Sequence, residues 1–308
     1  MNKPTTTLTL WQRMLLEVLW FLCRAFALLP HFVRHHIFGT ICHVVLCDIL
    51  HYRHKVIMDN LHRSFPDKTE AELRKICRAT YRNLSEQIIN TISQAGVSEK
   101  RLLHRMVVTN ADTIRAQIAG RSAILLTAHF GPWEAGSTVS LTLPEQTFVA
   151  VYHKITNPII DELLKRIRTH KNVELVDMKR TMRYFIDNRD KRPMAMGLIA
   201  DQNPVLRANM RWYQFLHQWT AFFEGGEVLA MKYHLPVYYF SPRRISAGHY
   251  EGTFTLIHDG NTPIAEGEIT ERYVRLLEKD INAYPEMWMW SHRRWKHTPP
   301  AELLSQKI

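Results

Sequence analysis

The chain has 308 residues, a formal net charge of +11 at pH 7 and only four cysteines. That length supports a substantial core in one large domain or two small ones. The charge calls for a polyanionic partner: nucleic acid, an anionic membrane surface, a phosphorylated substrate or an acidic carrier protein. Nucleic acid is set aside, because no zinc-finger spacing, RNP-type aromatic motif or basic zipper accompanies the charge. Cys23, Cys42, Cys47 and Cys77 lie in the first quarter, mostly in apolar stretches. They read as small hydrophobes of a reducing compartment, not as a disulfide framework. Cys42, His43 and Cys47 match no common metal-site spacing, so no metal is expected.

In chain order, the first element is an apolar stretch over residues 14–29, interrupted by Glu17 and Arg24. On a helix, Arg13, Glu17 and Arg24 fall within about 40° of one another, using about 100° per residue. A narrow polar stripe on an otherwise apolar helix suits a membrane interface, or dimer and core packing, better than a free span of about 20 residues. A single span stays open as an alternative. A second apolar run, residues 37–50, contains His43 and Asp48 and ends in the basic patch His51-Tyr52-Arg53-His54-Lys55. Two such stretches with basic flanks read as a monotopic anchor on an anionic leaflet, or as ordinary buried helices. No small-residue cleavage site follows, which argues against a removable signal peptide.

Residues 69–95 have helical periodicity, with Thr69 and Glu72 as a capping box at the start. From about residue 106, strands and helices alternate. Strands are expected at 123–128, 147–152, 194–200 and 236–242, with 250–257 pairing near an edge. Helices are expected to begin near Ala111, Glu134, Pro158, Lys179, Gly225 and Gly267. The pattern predicts a mixed, mostly parallel α/β sheet flanked by helices, preceded by a helical, membrane-associated N-terminal region. The division falls at residues 1–105 for the anchor and 106–308 for the core.

The most informative residues are His129-Phe130-Gly131-Pro132-Trp133-Glu134. They follow an apolar strand, and Gly131-Pro132 breaks the backbone before a new helix. On one continuous helix His129 and Glu134 would sit roughly 140° apart. A strand end and turn between them would let the Glu134 carboxylate fold back onto the imidazole. A histidine oriented by a carboxylate at the carboxyl end of a strand is a general base for a hydroxyl. No Gly-x-Ser-x-Gly elbow occurs, so direct transfer is favoured over a covalent enzyme intermediate.

His129-Phe130-Gly131-Pro132-Trp133-Glu134 resembles the His-x4-Asp/Glu motif of glycerolipid-type acyltransferases, and more closely the His-Phe-Gly-Asn-Trp-Glu of the bacterial lipid A late acyltransferases. Other blocks follow that family's order: Asn60-Leu61 with Ser64-Phe65-Pro66, Asn157-Pro158, Asp201-Gln202, Thr220 to Phe223, and Trp290-Ser291-His292-Arg293-Arg294-Trp295-Lys296. The likeness runs from about residue 11 to 297. The closing tryptophan-arginine block is specific; His-x4-Glu alone is not. Pro132 departs from the family's usual Asn, and His153 or Lys154 stands where an Arg is usual. Lys neutralises a phosphate but cannot grip it bidentately, which points to a different head group.

The resemblance implies transfer of a fatty acyl chain from an acyl carrier protein thioester (or acyl-CoA) to a hydroxyl of a lipid A precursor. It also implies a place at the cytoplasmic face of the bacterial inner membrane. His129 would be the base and Glu134 its partner, with no cofactor. Lys154, Arg293, Arg294 and Lys296 would meet an anionic lipid acceptor or an acidic carrier; the alternative for the last three is cation–π packing among tryptophans. Asp201 reads as substrate orientation or as a turn cap, and Thr220 to Phe223 as an acyl-tunnel wall or simple core. Acylation of another bacterial lipid, an aminolipid or phosphoglycolipid, is the near alternative. A membrane scaffold without activity is the distant one.

Overall fold

The computed structural model describes residues 8–205 and 210–304. The strands, in chain order, are β1 (Met106–Val108), β2 (Ala123–Thr127), β3 (Thr147–Tyr152), β4 (Val173–Asp177), β5 (Met194–Ile199), β6 (Trp212–Phe215), β7 (Gln218–Ala221), β8 (Val237–Ser246) and β9 (His249–His258). Seven of them form one sheet in the order β1-β9-β8-β2-β5-β3-β4, and β6-β7 is a separate antiparallel hairpin. Within the sheet only the β8–β9 pair is antiparallel. The expected mixed, mostly parallel sheet is therefore present. Central strands of such a sheet are covered on both faces and so read as unbroken apolar runs. In β2, Ala123 to Leu126 are all buried, as are Met194 to Met196 in β5.

Four strands were not foreseen. β1 is only three residues long, β4 alternates polar and apolar residues (Val-Glu-Leu-Val-Asp), and β6-β7 lies within an aromatic run. None of these has the periodicity of a long buried strand.

The helix Glu70–Ile92 begins at the expected capping box, Thr69 with Glu72. It then crosses the molecule with Tyr81, Ile89 and the polar Asn83, Ser85, Glu86 and Gln87 buried. Asn83 Nδ2 donates to the Met287 carbonyl at 3.2 Å, so this helix holds the segment that follows the helix Glu268–Ala283. That face of the sheet carries the largest core, which includes Leu61, Leu73, Phe222, Tyr273, Trp288 and Trp290. A second core on the other face includes Ile114, Leu125, Phe148 and Phe254.

The N-terminal helix Leu10–Leu28 is oriented by its polar stripe. Glu17 pairs with Arg166 at 2.8 Å, and Leu16 packs on Leu163 and Ile167 of the helix Pro158–Arg168. Its opposite side exposes Trp11, Phe21 and Leu28 (81% exposed). A bend of 114° leads into the helical segment Val33–Ile49, which also exposes Phe32, Ile41, Ile49 and Leu50 around it. No single helix among the described residues is long and apolar enough to cross a membrane.

Candidate active site

β2 and β5 are parallel neighbours with Thr127 opposite Ile199. Each strand is followed two residues later by a polar residue, His129 and Asp201, separated by 72 positions in sequence and adjacent in space. Asp201 Oδ1 accepts from His129 Nδ1 at 2.8 Å, and Oδ2 accepts from the His129 backbone N–H at 3.0 Å and from Trp288 Nε1 at 2.8 Å. Burial favours the neutral acid. The imidazole and these three donors outweigh it and hold the Asp201 carboxyl below its ordinary value. With the proton on Nδ1, as the carboxylate requires, His129 Nε2 carries a lone pair. It lies 3.2 Å from Gln202 Nε2, and the His129 side chain keeps 18% exposure.

The segment after the helix Glu268–Ala283 fixes this turn. Gly131 N–H donates to the Met287 carbonyl at 2.8 Å, and Met289 N–H donates to the His129 carbonyl at 3.0 Å. Gly131 sits at φ +54°, where a Cβ would come within 2.6 Å of Met287 Cε. The positive φ favours glycine here, and a Cβ would also have to displace the end of the Met287 side chain. The strap is itself held: Asn60 Nδ2 donates at 2.8 Å to the Trp290 and His292 carbonyls, and Arg53 Nη1 at 2.9 Å to that of Ser291. The Asn60 block and the Trp290 block are therefore one structural unit under the His129 turn.

Among the described residues the Glu134 carboxylate faces Arg168, and the His129 ring faces Asp201, not Glu134 as spacing suggested. The residues after Pro132 start a short helical stretch near the expected position, a 3₁₀ turn Trp133–Ala135 running into a helix Gly136–Val139 and a second 3₁₀ turn Ser140–Thr142. The Glu134 carboxylate is gripped by Arg168, with Nε to Oε2 at 2.7 Å and Nη2 to Oε1 at 2.6 Å. This planar fork ties the turn to the end of the helix Pro158–Arg168. Nothing in the sequence marked Arg168. Asp201, expected as a substrate contact or cap, holds His129 instead; only the strand register could have revealed that.

The remaining expected residues divide by exposure. Arg294 is 3% exposed; its guanidinium lies 4.5 Å from the Phe222 ring centroid and donates to the Ala221 carbonyl and to Asn203 Oδ1. Burial lowers its pKa to about 10. That is an internal brace, a correction to its expected outward role. Arg293 and Lys296 are exposed on the same strap, and Lys154 is exposed in the loop after β3, at the same carboxyl edge of the sheet. Thr220, Ala221 and Phe222 are buried, and Phe222 packs edge-on to Phe215 and Tyr273. Phe222 packs within the main core. His292 is pushed down to about 4, chiefly by burial. Among the described residues, His43, Cys47 and Asp48 bring ligand atoms within 4.8 Å of one another, a geometry open to a metal ion. Asp48 there also pairs with Arg78 at 3.3 Å.

Residues 3–297 match the family of bacterial lipid A biosynthesis acyltransferases. The chain belongs to this family. It is accordingly an acyltransferase. It is 25% identical to the lipid A biosynthesis lauroyltransferase of Escherichia coli (strain K12) over 249 residues, covering 80% of each chain. It is 24% identical over 271 residues to the lipid A biosynthesis palmitoleoyltransferase of the same organism and to a lipid A biosynthesis acyltransferase of Shigella flexneri. Those alignments cover 86% of this chain and 85% of each relative.

Proposed function

We propose that this enzyme moves a fatty acyl chain from an acyl carrier protein thioester to a hydroxyl of a lipid A precursor, at the cytoplasmic face of the bacterial inner membrane. The observation that carries the reading is the His129–Asp201 pair, whose second imidazole nitrogen, in contact with the Gln202 amide, lies at the carboxyl edge of the sheet. His129 Nε2 takes the hydroxyl proton as the oxygen attacks the thioester carbon. The C–S bond then breaks, and the imidazolium returns the proton to the departing thiolate. Asp201 is a positioning residue: it fixes the tautomer and stabilises the imidazolium. The Glu134–Arg168 pair holds the turn. Arg293, Lys296 and Lys154 are exposed cations at this edge and suit the phosphates of the acceptor or the acidic carrier. The outward apolar face of the bent N-terminal helix pair suits an interfacial anchor.

The test is a lipid A mass spectrum from cells lacking the protein, complemented with wild type or His129→Ala. The expected result is loss of one acyl chain, restored only by wild type. The purified variant should lose about 10²–10⁴ in rate. Unchanged lipid A would overturn the acceptor assignment and direct the search to other membrane lipids.

A further inference from the structure

At the bend between the two N-terminal helices, far from the His129 turn in sequence, basic side chains gather from three elements. The bend supplies His31, Arg34 and His35, the helix Glu99–Arg105 supplies Arg101, His104 and Arg105, and the β8–β9 turn supplies His249. His31 and His35 stack at 4.4 Å between ring centroids, His31 lies 5.1 Å from His249, and His104 lies 5.6 Å from His249. His31 Nε2 is bonded to the Ala247 carbonyl at 2.8 Å. Gly248, at φ +67°, lets the turn lie against the His35 ring, where a Cβ would come within 2.6 Å of it.

Among the described residues, the arginines of this corner have no acid paired with them. Arg34 is 4% exposed; its Nε donates to the Leu29 carbonyl at 3.0 Å, and its Nη1 has no hydrogen-bond partner. Arg105 spends Nη1 on the Ser93 carbonyl. Burial first, and then the charges of Arg34 and Arg101, lower the Arg105 pKa to about 10. Glu86 reaches the corner but is committed to Arg244, the Gly248 amide and the Tyr250 hydroxyl. A buried guanidinium without a counter-ion is strongly unfavourable unless an anion arrives from outside.

We propose that this corner binds a phosphate group, a monoester or diester, through Arg34, Arg105 and Arg101 with the imidazoles around them. Arg101 and His104 are exposed and give access from solvent. Leu28 and Phe32, both strongly exposed, flank the bend and would set the site at headgroup depth on a lipid surface. The phosphate then comes from a phospholipid headgroup or from free phosphate in solution. Guanidinium groups suit either, because they match phosphate oxygens in a fork.

The experiment uses the full-length protein and vesicles of phosphatidylethanolamine with or without phosphatidylglycerol, with inorganic phosphate as competitor and as a thermal-shift probe against chloride at equal ionic strength. Arg34→Gln and Arg105→Gln should each weaken binding to the anionic vesicles roughly tenfold, the equivalent of about 1.4 kcal/mol. Arg74→Gln, an equal charge change on an exposed residue, should leave binding unchanged. Arg101→Gln, on the exposed rim, keeps the test valid should Arg34→Gln fail to fold, with an expected loss of about threefold. Competition and stabilisation by inorganic phosphate, lost in the same variants, would identify free phosphate as a ligand. Vesicle binding lost in the variants without competition by phosphate would identify the headgroup. Equal losses in Arg74→Gln, or corner variants indistinguishable from wild type in both arms, would overturn the site. Neither readout involves acyl transfer, so the outcome is independent of the proposed reaction.

Discussion

At the carboxyl edge of the sheet one imidazole, His129, meets one buried carboxylate, Asp201, whose oxygens accept three donors. At the bend of the N-terminal helices, four imidazoles and three guanidinium groups meet with no carboxylate free to pair them among the described residues. Both regions concentrate histidine, and they differ in the charge supplied opposite it. An internal anion fixes a tautomer and leaves a lone pair for proton transfer. A missing anion leaves positive charge that an outside ligand can neutralise. The role of a histidine here thus follows from what the fold brings against it, and the comparison can be broken by removing the two carboxylates at the His129 turn, Asp201 and Glu134, in turn.

The largest effect is expected from Asp201→Asn. Its kcat should fall by about 10²–10⁴ with KM for the thioester nearly unchanged, because the imidazolium loses its support only during reaction. The acid limb of the pH–rate profile should also move to lower pH. A fall in KM affinity with no change in the profile would show Asp201 to be merely structural.

Glu134→Gln should cost less, about tenfold or under in kcat. Melting should drop by an amount equivalent to about 1–2 kcal/mol, since both partners are partly solvent-screened. Arg168→Gln should match it, and the double variant should be no worse than either, because one fork is lost in all three cases. If Glu134→Gln instead exceeded Asp201→Asn in kcat, the assignment of the histidine's partner would be reversed.

The smallest effect is a pH dependence of stability. His292 titrates at about 4 in the folded protein, held down by burial and by Arg294, His129 and Lys296 against the opposing pull of Asp201. Its unfolded value is about 6.5. The unfolded chain binds the extra proton between those values. This contribution is therefore complete above about 6.5 and is lost as pH falls toward 4. His292→Gln should flatten the melting temperature across that window; an unchanged slope would remove His292 as the cause.

Much of the framework was legible in the chain. The strands β2, β3, β5 and β8 announce themselves by apolar runs, β9 by its alternation, the helix Glu70–Ile92 by its capping box, and the His129 turn by Gly131 and Pro132. Glu134 was misleading for a physical reason. Its nearness in sequence says nothing about which cation a rotation of the turn will offer, and Arg168 lies 34 residues away. Arg294 was misread likewise: an arginine between tryptophans is the same string whether it faces solvent or, as here, lies over the buried Phe222.

The sequence by itself determined the alternation of strands and helices, the basic balance, the polar stripe of the first helix and the histidine at a strand end, because each depends on neighbours within a few residues. Only the tertiary structure decided that Asp201 holds His129, that Asn60 anchors the strap beneath it and that Arg34 is buried without an acid among the described residues. Those pairings join residues 72, 230 and 232 positions apart, or leave a charge unmatched by any. Strand register and packing, which no local pattern encodes, choose those partners.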